Sequence, residues 1–233
     1  MRTRLFPLWA VLALVPCIFA TSPQFASAAR HKGIDPALLA KANAGDAAAQ
    51  YQLGNAYNYA EKVRRDYAQA LFWYRKGAEQ DNADSEFQLG GLYHLGRGVP
   101  QDNAKAFAWT MKAAKQGHTD AEFFISTCYT EGWGVAKDEA QGMLWLRKAA
   151  EQGHYNSQYQ LGWAYEDGIN VPQDYSRAYF WLDLAALEAD TRGDRKKARK
   201  RRDKASSHVT PSEQARVQKR VQAWLQDHPA KVE

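Results

Sequence analysis

The hydrophobic positions of this chain recur with a period of 36 residues. Trp73, Trp109, Trp145 and Trp181 hold one column, Leu53, Leu89, Ile125 and Leu161 a second, and Tyr57, Tyr93, Tyr129 and Tyr165 a third. Ala78, Ala114, Ala150 and Ala186 form a fourth, and the acids Asp66, Asp102, Asp138 and Asp174 keep the same interval. Columns in register through four copies predict an array of one repeated unit, each copy burying its apolar face only against its neighbours.

Within a copy the pattern predicts two helices. Ala49, Leu53 and Tyr57 stand at i, i+4 and i+8, an apolar stripe at the helical period, with Gly54 beside them to admit a neighbouring helix. Gly96, Gly132 and Gly168 are placed to end the first helix in the left-handed conformation. A second Gly or Asn follows (Gly98, Gly134, Asn170), then a valine placed to plug the loop. The Asp column comes next, where a carboxylate caps the second helix by accepting orphan backbone N–H groups. Ala70, Trp73 and Gly77-Ala78 give that helix its apolar face, and the tryptophans are expected to be pegs between helices. The first copy carries Ala60 and Lys62 where later copies carry glycines, so its loop is expected to differ.

The copies span 46–81, 82–117, 118–153 and 154–189. Residues 37–45 read as the second half of an incomplete preceding copy, which assigns 29–45 to an N-terminal capping helix. Downstream, Thr210, Pro211 and Glu213 spell a capping box. The stripe Val217, Val221, Trp224 and Leu225 is suited to cover the end of the array. Residues 190–233 are therefore a basic segment followed by a C-terminal capping helix.

Composition narrows the class. Of 233 residues, 45% are hydrophobic and 24% charged, which excludes disorder as the dominant state. Mean hydropathy is −0.62, and only residues 5–20 form a long apolar run, which excludes a polytopic membrane protein. That run follows Arg2 and Arg4 and precedes Ala26-Ser27-Ala28, and it is shorter than the roughly 20 residues of a span. Residues 1–28 are thus expected to be a cleaved signal peptide, and the protein to be exported, periplasmic or secreted. The two cysteines cannot build a disulfide framework, and removal of the leader leaves Cys128 alone.

No catalytic or metal-binding motif is present: no His-Glu-x-x-His, Cys-x-x-Cys, phosphate loop or Ser-x-x-Lys. His118 and His154 share one repeat position with Asp46 and Asn82, which argues for turn chemistry rather than metal ligation. Cys128 aligns with Ala56, Leu92 and Ala164 and reads as a small buried hydrophobe. The protein is expected to be no enzyme and to need no cofactor.

The run from Leu89 through Gly90-Gly91-Leu92-Tyr93 and Gly96-Arg97-Gly98-Val99-Pro100-Gln101-Asp102, with Ala106, Trp109 and Ala113-Ala114 after it, resembles a Sel-1-like repeat. That family is related to the tetratricopeptide repeat. The resemblance implies an all-α, right-handed solenoid of antiparallel helix pairs, acting as an adaptor or scaffold for other proteins. It also implies a concave groove lined by one side of each first helix. The column Tyr51, Phe87, Phe123 and Tyr159 would supply an aromatic ring per copy, with Asn55, Gly91, Thr127 and Trp163 beside it and His94 in the column that starts at Asn58. Some members are described as penicillin-binding and carry paired cysteines, one pair per repeat, which this chain lacks. Weak β-lactam or cell-wall-ligand binding or hydrolysis is accordingly the second functional expectation, after an exported, non-catalytic adaptor that binds a protein or peptide.

Charge is segregated along the chain: residues 46–189 carry −6 and residues 190–233 carry +7. Arg195, Lys196, Lys197, Arg199, Lys200, Arg201 and Arg202 mark a candidate contact for an anionic surface, a lipid headgroup or cell-wall polymer. No aromatic residue is interleaved among them, which argues against nucleic acid. The alternative is a solvated helix face.

Overall fold

The computed structural model describes residues 33–61, 63–189 and 191–228; the expected signal peptide, Lys62, Asp190 and residues 229–233 lie outside the described residues. The described residues form eleven helices and no strand. Helix α1 (Pro36–Asn43) precedes four pairs: α2 (Ala47–Tyr59) with α3 (Tyr67–Ala78), α4 (Ala83–Leu95) with α5 (Asn103–Lys115), α6 (Thr119–Glu131) with α7 (Glu139–Glu151), and α8 (Tyr155–Asp167) with α9 (Tyr175–Glu188). Helices α10 (Arg192–Ser206) and α11 (Pro211–Asp227) follow. The pairs build a right-handed solenoid, each second helix packing on its own first helix and on that of the next copy. No described helix is long and apolar enough to cross a membrane.

Each pair is set by its caps. Asp66, Asp102, Asp138 and Asp174 accept backbone N–H groups of the first turn of α3, α5, α7 and α9. The N–H of each of these aspartates donates to the carbonyl of the conserved-interval tyrosine of its copy, from Asp66 to Tyr57 (3.1 Å) through Asp174 to Tyr165 (2.9 Å), which fixes the loop length. Gly96, Gly132 and Gly168 take φ of 63°, 77° and 71° at the ends of α4, α6 and α8. In the first copy Ala60 takes the same left-handed role, at φ 61°.

The core beneath these caps is built from the same repeated columns. Leu53, Leu89, Ile125 and Leu161 are fully buried, as are Ala70, Ala78, Ala113, Ala114, Ala149 and Ala150. Close approach within a pair depends on a missing side chain: a Cβ at Gly90 would lie 2.2 Å from Thr110 Oγ1. In the third copy Ser126 takes the place of that glycine, and the gap moves to the opposing helix, where a Cβ at Gly142 would lie 2.6 Å from Thr130 Oγ1. The tryptophan column is less uniform than its spacing suggests. Trp73 and Trp181 are buried, but Trp109 and Trp145 are half-buried, with Lys112 and Lys148 ammonium groups 4.4 and 4.8 Å from their ring centroids. In those two copies the tryptophan is a partly covered edge of the core rather than a peg through it.

Helix α11 opens with the capping box of Thr210 and Glu213 and packs Val217 and Val221 on α9. Trp224 reaches back to Gly153 between the third and fourth copies.

Candidate partner-binding surface

The groove side of the first helices carries an aromatic column and the column beside it. Its aromatic column is half-buried: Phe87 packs 4.7 Å from the ring of His118, and Phe123 4.8 Å from that of His154. Tyr51 lies 6.2 Å from Tyr74, and Tyr159 6.2 Å from Tyr155. Each phenylalanine thus uses one face to join its copy to the next.

The neighbouring column is more open. A Cβ on Gly91 would meet nothing within 4 Å, and Trp163 is 40% exposed. Asn55 accepts a hydrogen bond of 2.6 Å from the Tyr74 hydroxyl, and the Thr127 hydroxyl bonds back to the Phe123 carbonyl at 3.3 Å. Tyr59 and Leu95 extend this exposed edge. The column that starts at Asn58 does not face the groove. Asn58 and Glu166 are buried, and His94 is enclosed by Phe124 and Trp133, with Nδ1 3.0 Å from Asn103 Oδ1. Seven residues bring Asn58 back to within about 20° of Tyr51, on the side away from Asn55, where Tyr74 of the second helix covers it.

One polar column was read from the sequence only as turn chemistry, and a second escaped that reading. His118 and His154 are the N-caps of α6 and α8, their Nδ1 accepting the N–H of Ala121 (3.3 Å) and Ser157 (3.2 Å), as Asp46 and Asn82 do with their oxygens at α2 and α4. Gln50, Glu86, Glu122 and Gln158 form a buried column. Three of its members are met by a glutamine thirty residues on: Gln80 donates to Gln50 (2.7 Å), Gln116 to Glu86 (2.7 Å) and Gln152 to Glu122 (2.5 Å). The signal was present, since Gln80, Gln116 and Gln152 keep the 36-residue interval. Lys148 completes the Glu122 site at 2.8 Å, and burial pushes the Glu86 carboxyl above its usual range.

The seven candidate cations on α10 do not share a face. Ala198 and Ala205 seat the helix against the fourth copy, and between them only Arg201 and Arg202 turn inward. Arg201 pairs with buried Glu166 at 2.7 Å, and Arg202 with Asp183 at 3.1 Å. Lys204, outside the expected set, holds the other Glu166 oxygen at 2.6 Å. Lys197 pairs with Asp194 on the same helix. Arg192, Arg195, Lys196, Arg199 and Lys200 line one outward recess, with Asp203 as its only acid. The Arg195 guanidinium also donates to the Ala189 carbonyl at 2.8 Å.

Cys128 is buried and burial pushes its thiol up to about 12, so it is no nucleophile at neutral pH. No group of three or more metal-ligating side chains occurs among the described residues.

Stacked helix pairs with an open row along their first helices define a helical-repeat scaffold. The four copies match the Sel1 repeat at residues 47–82, 83–118, 119–154 and 156–190, and the chain belongs to that family. It is similar to a Sel1 repeat protein from Oxalobacter formigenes, at 31% identity over 84% of this chain and 55% of the other, with a TM-score of 0.68. It is also similar to c5321, a protective antigen of uropathogenic Escherichia coli strains displaying the same fold, at 28% identity over 82% of this chain and 48% of the other, with a TM-score of 0.49. The chain spans about half the length of these two structures. No curated protein matches it. Sel1 repeat proteins generally mediate protein–protein interaction, and the fold is typically a non-catalytic scaffold.

Proposed function

We propose that this protein is an exported, non-catalytic adaptor that binds another protein or peptide along the concave groove lined by its first helices. The observation that carries this reading is the column through Gly91, Thr127 and Trp163. It is open at Gly91, ends in an exposed indole at Trp163, and is flanked by exposed Tyr59 and Leu95. Apolar anchors beside polar neighbours that differ from copy to copy suit selective recognition of an extended segment. The leader-like pattern at residues 2–28 supports export. The test is Gly91→Arg with Thr127→Arg, which crowds the row from two positions outside the core. The variant should keep its helical circular dichroism and melting temperature and lose partner capture; undiminished capture contradicts the reading.

The outward stripe of α10 supports a second contact, with an anionic surface. Arg192, Lys196, Arg199 and Lys200 carry no ion pair among the described residues, so their charge is free to act on a partner. Binding to anionic vesicles or cell-wall sacculi should fall steeply with salt. Charge reversal at those four positions should abolish it. Equal retention of both proteins would leave only a solvated helix face.

A further inference from the structure

The three junctions between copies bring equivalent positions together, and two are filled from within. Between the second and third copies, the Trp133 ring lies 4.9 Å from His94 and 6.3 Å from Phe124. Between the first and second, Arg97 sits 5.4 Å over the Tyr67 ring, and the Tyr59 hydroxyl donates to Gln88 at 3.2 Å. Between the third and fourth, the positions 36 residues beyond His94, Phe124 and Trp133 are Thr130, Gln160 and Ile169. None is aromatic.

What remains there is a cleft of about 200 Å3, lined by those three side chains together with Met143, Leu146 and Trp163. Ile169 is 41% exposed above it. Trp163 is held in place from the other side: its indole N–H donates to Asp167, and Arg201 lies 5.0 Å from its ring centroid. The loop also differs. A Cβ at Gly134 would lie 2.0 Å from the Asn103 carbonyl oxygen, so glycine lets that loop seat on the start of α5. The equivalent residue here is Asn170, at φ 58°, whose Cβ bars the same seat on α7.

We propose that this cleft receives an aromatic side chain of the bound partner, in the place that Trp133 fills one junction earlier. The inference rests on the adaptor reading and names the chemistry of one anchor. Three arguments converge on that occupant. The equivalent junction one copy earlier already accepts an indole; the walls offer thioether, aliphatic and aromatic surface; and a cavity of about 150 Å3 is enough to admit benzene. The pre-held Trp163 and the fixed helices leave little ordering to be done on binding.

The probe is N-acetyltryptophanamide, titrated into the isotopically labelled chain and followed by amide shifts. Saturable shifts are expected at Thr130, Gln160 and Ile169. The triple variant Thr130→His, Gln160→Phe, Ile169→Trp copies the filled junction into the open one and should weaken binding at least tenfold. The reverse variant, Phe124→Gln with Trp133→Ile, should create a second set of saturable shifts around His94. If the reverse variant does not fold, the filled variant decides alone. Unsaturable shifts in the wild type, or equal binding by the folded filled variant, overturn the proposal. Random peptides displayed on phage separate it from the adaptor reading. Aromatic-bearing peptides retained by the wild type and not by the filled variant support the cleft. Peptides retained equally by both overturn the cleft and leave the adaptor standing. Binding of the amide with no peptide retained supports the cleft and overturns the adaptor.

Discussion

His154 joins two copies: its Nδ1 accepts the Ser157 N–H at 3.2 Å while its Nε2 lies 3.3 Å from Asp120 of the preceding copy. Only the tautomer with the proton on Nε2 makes both contacts, so the ring serves as helix cap and inter-copy bridge together. His118 repeats the arrangement with Asp84 at 3.3 Å. Replacing His154 with Ala should cost about 0.5–2 kcal/mol in denaturant unfolding, and His154→Asn should recover the capping share.

The hydrogen bond from His154 holds the Asp120 carboxyl below its usual range. A depressed carboxylate stabilises the fold above its unfolded value and loses that contribution as pH falls through the folded one. Asp120→Asn should therefore be less stable than wild type above about pH 4, with the gap closing as pH drops further. Unfolding midpoints of both proteins from pH 7 to pH 2.5 read this out; a constant gap contradicts it.

Glu122 is buried with Lys148 and Gln152 on its oxygens, whereas Gln158 at the equivalent position donates to the Ala150 carbonyl. Removing only the cation leaves a buried carboxylate under-compensated. Lys148→Met should cost about 1–3 kcal/mol, tempered by the lysine's half exposure. Adding Glu122→Gln should restore most of it, and a double mutant no better than the single would refute the coupling.

Much of the fold was legible because one period constrains every copy. The Asp caps, the left-handed glycines and the Leu, Tyr and Ala columns all fall where the 36-residue spacing puts them. The Gln50, Glu86, Glu122 and Gln158 column was not read, because carboxyl and amide groups normally belong outside. Pairing with a glutamine thirty residues away, closed by the fold, explains the burial of Gln50, Glu86 and Glu122, and a bond to the Ala150 carbonyl that of Gln158. His118 and His154 were read as turn residues, which their local caps bear out; the Asp84 and Asp120 bridges and the Phe87 and Phe123 stacking depend on how adjacent copies sit. For the same reason spacing alone could not show that Arg201 and Arg202 turn inward, or that Trp109 and Trp145 stay half-exposed.

Trp181 is buried against the fourth copy and the C-terminal helices, and Trp145 is half-buried. Trp181→Ala should cost about 3–5 kcal/mol and Trp145→Ala about half as much, with the loss spreading to neighbouring copies. Equal costs in chemical denaturation would contradict the burial difference.

Gly117 and Gly134 both have positive φ, 86° and 72°, but only Gly134 faces a backbone atom that a Cβ would strike. Gly117→Ala should cost about 1 kcal/mol, from the left-handed conformation alone. Gly134→Ala should cost at least twice that, measured by thermal unfolding.

The central claim is that partners engage the groove row of the first helices, and site-specific photo-crosslinking in the cell tests it most directly. A photoreactive side chain at Thr127 samples that row, and one at Leu144, 58% exposed on a second helix, samples a surface outside it. Covalent adducts to another protein should form from Thr127 and not from Leu144. Adducts from Leu144 alone would contradict the account.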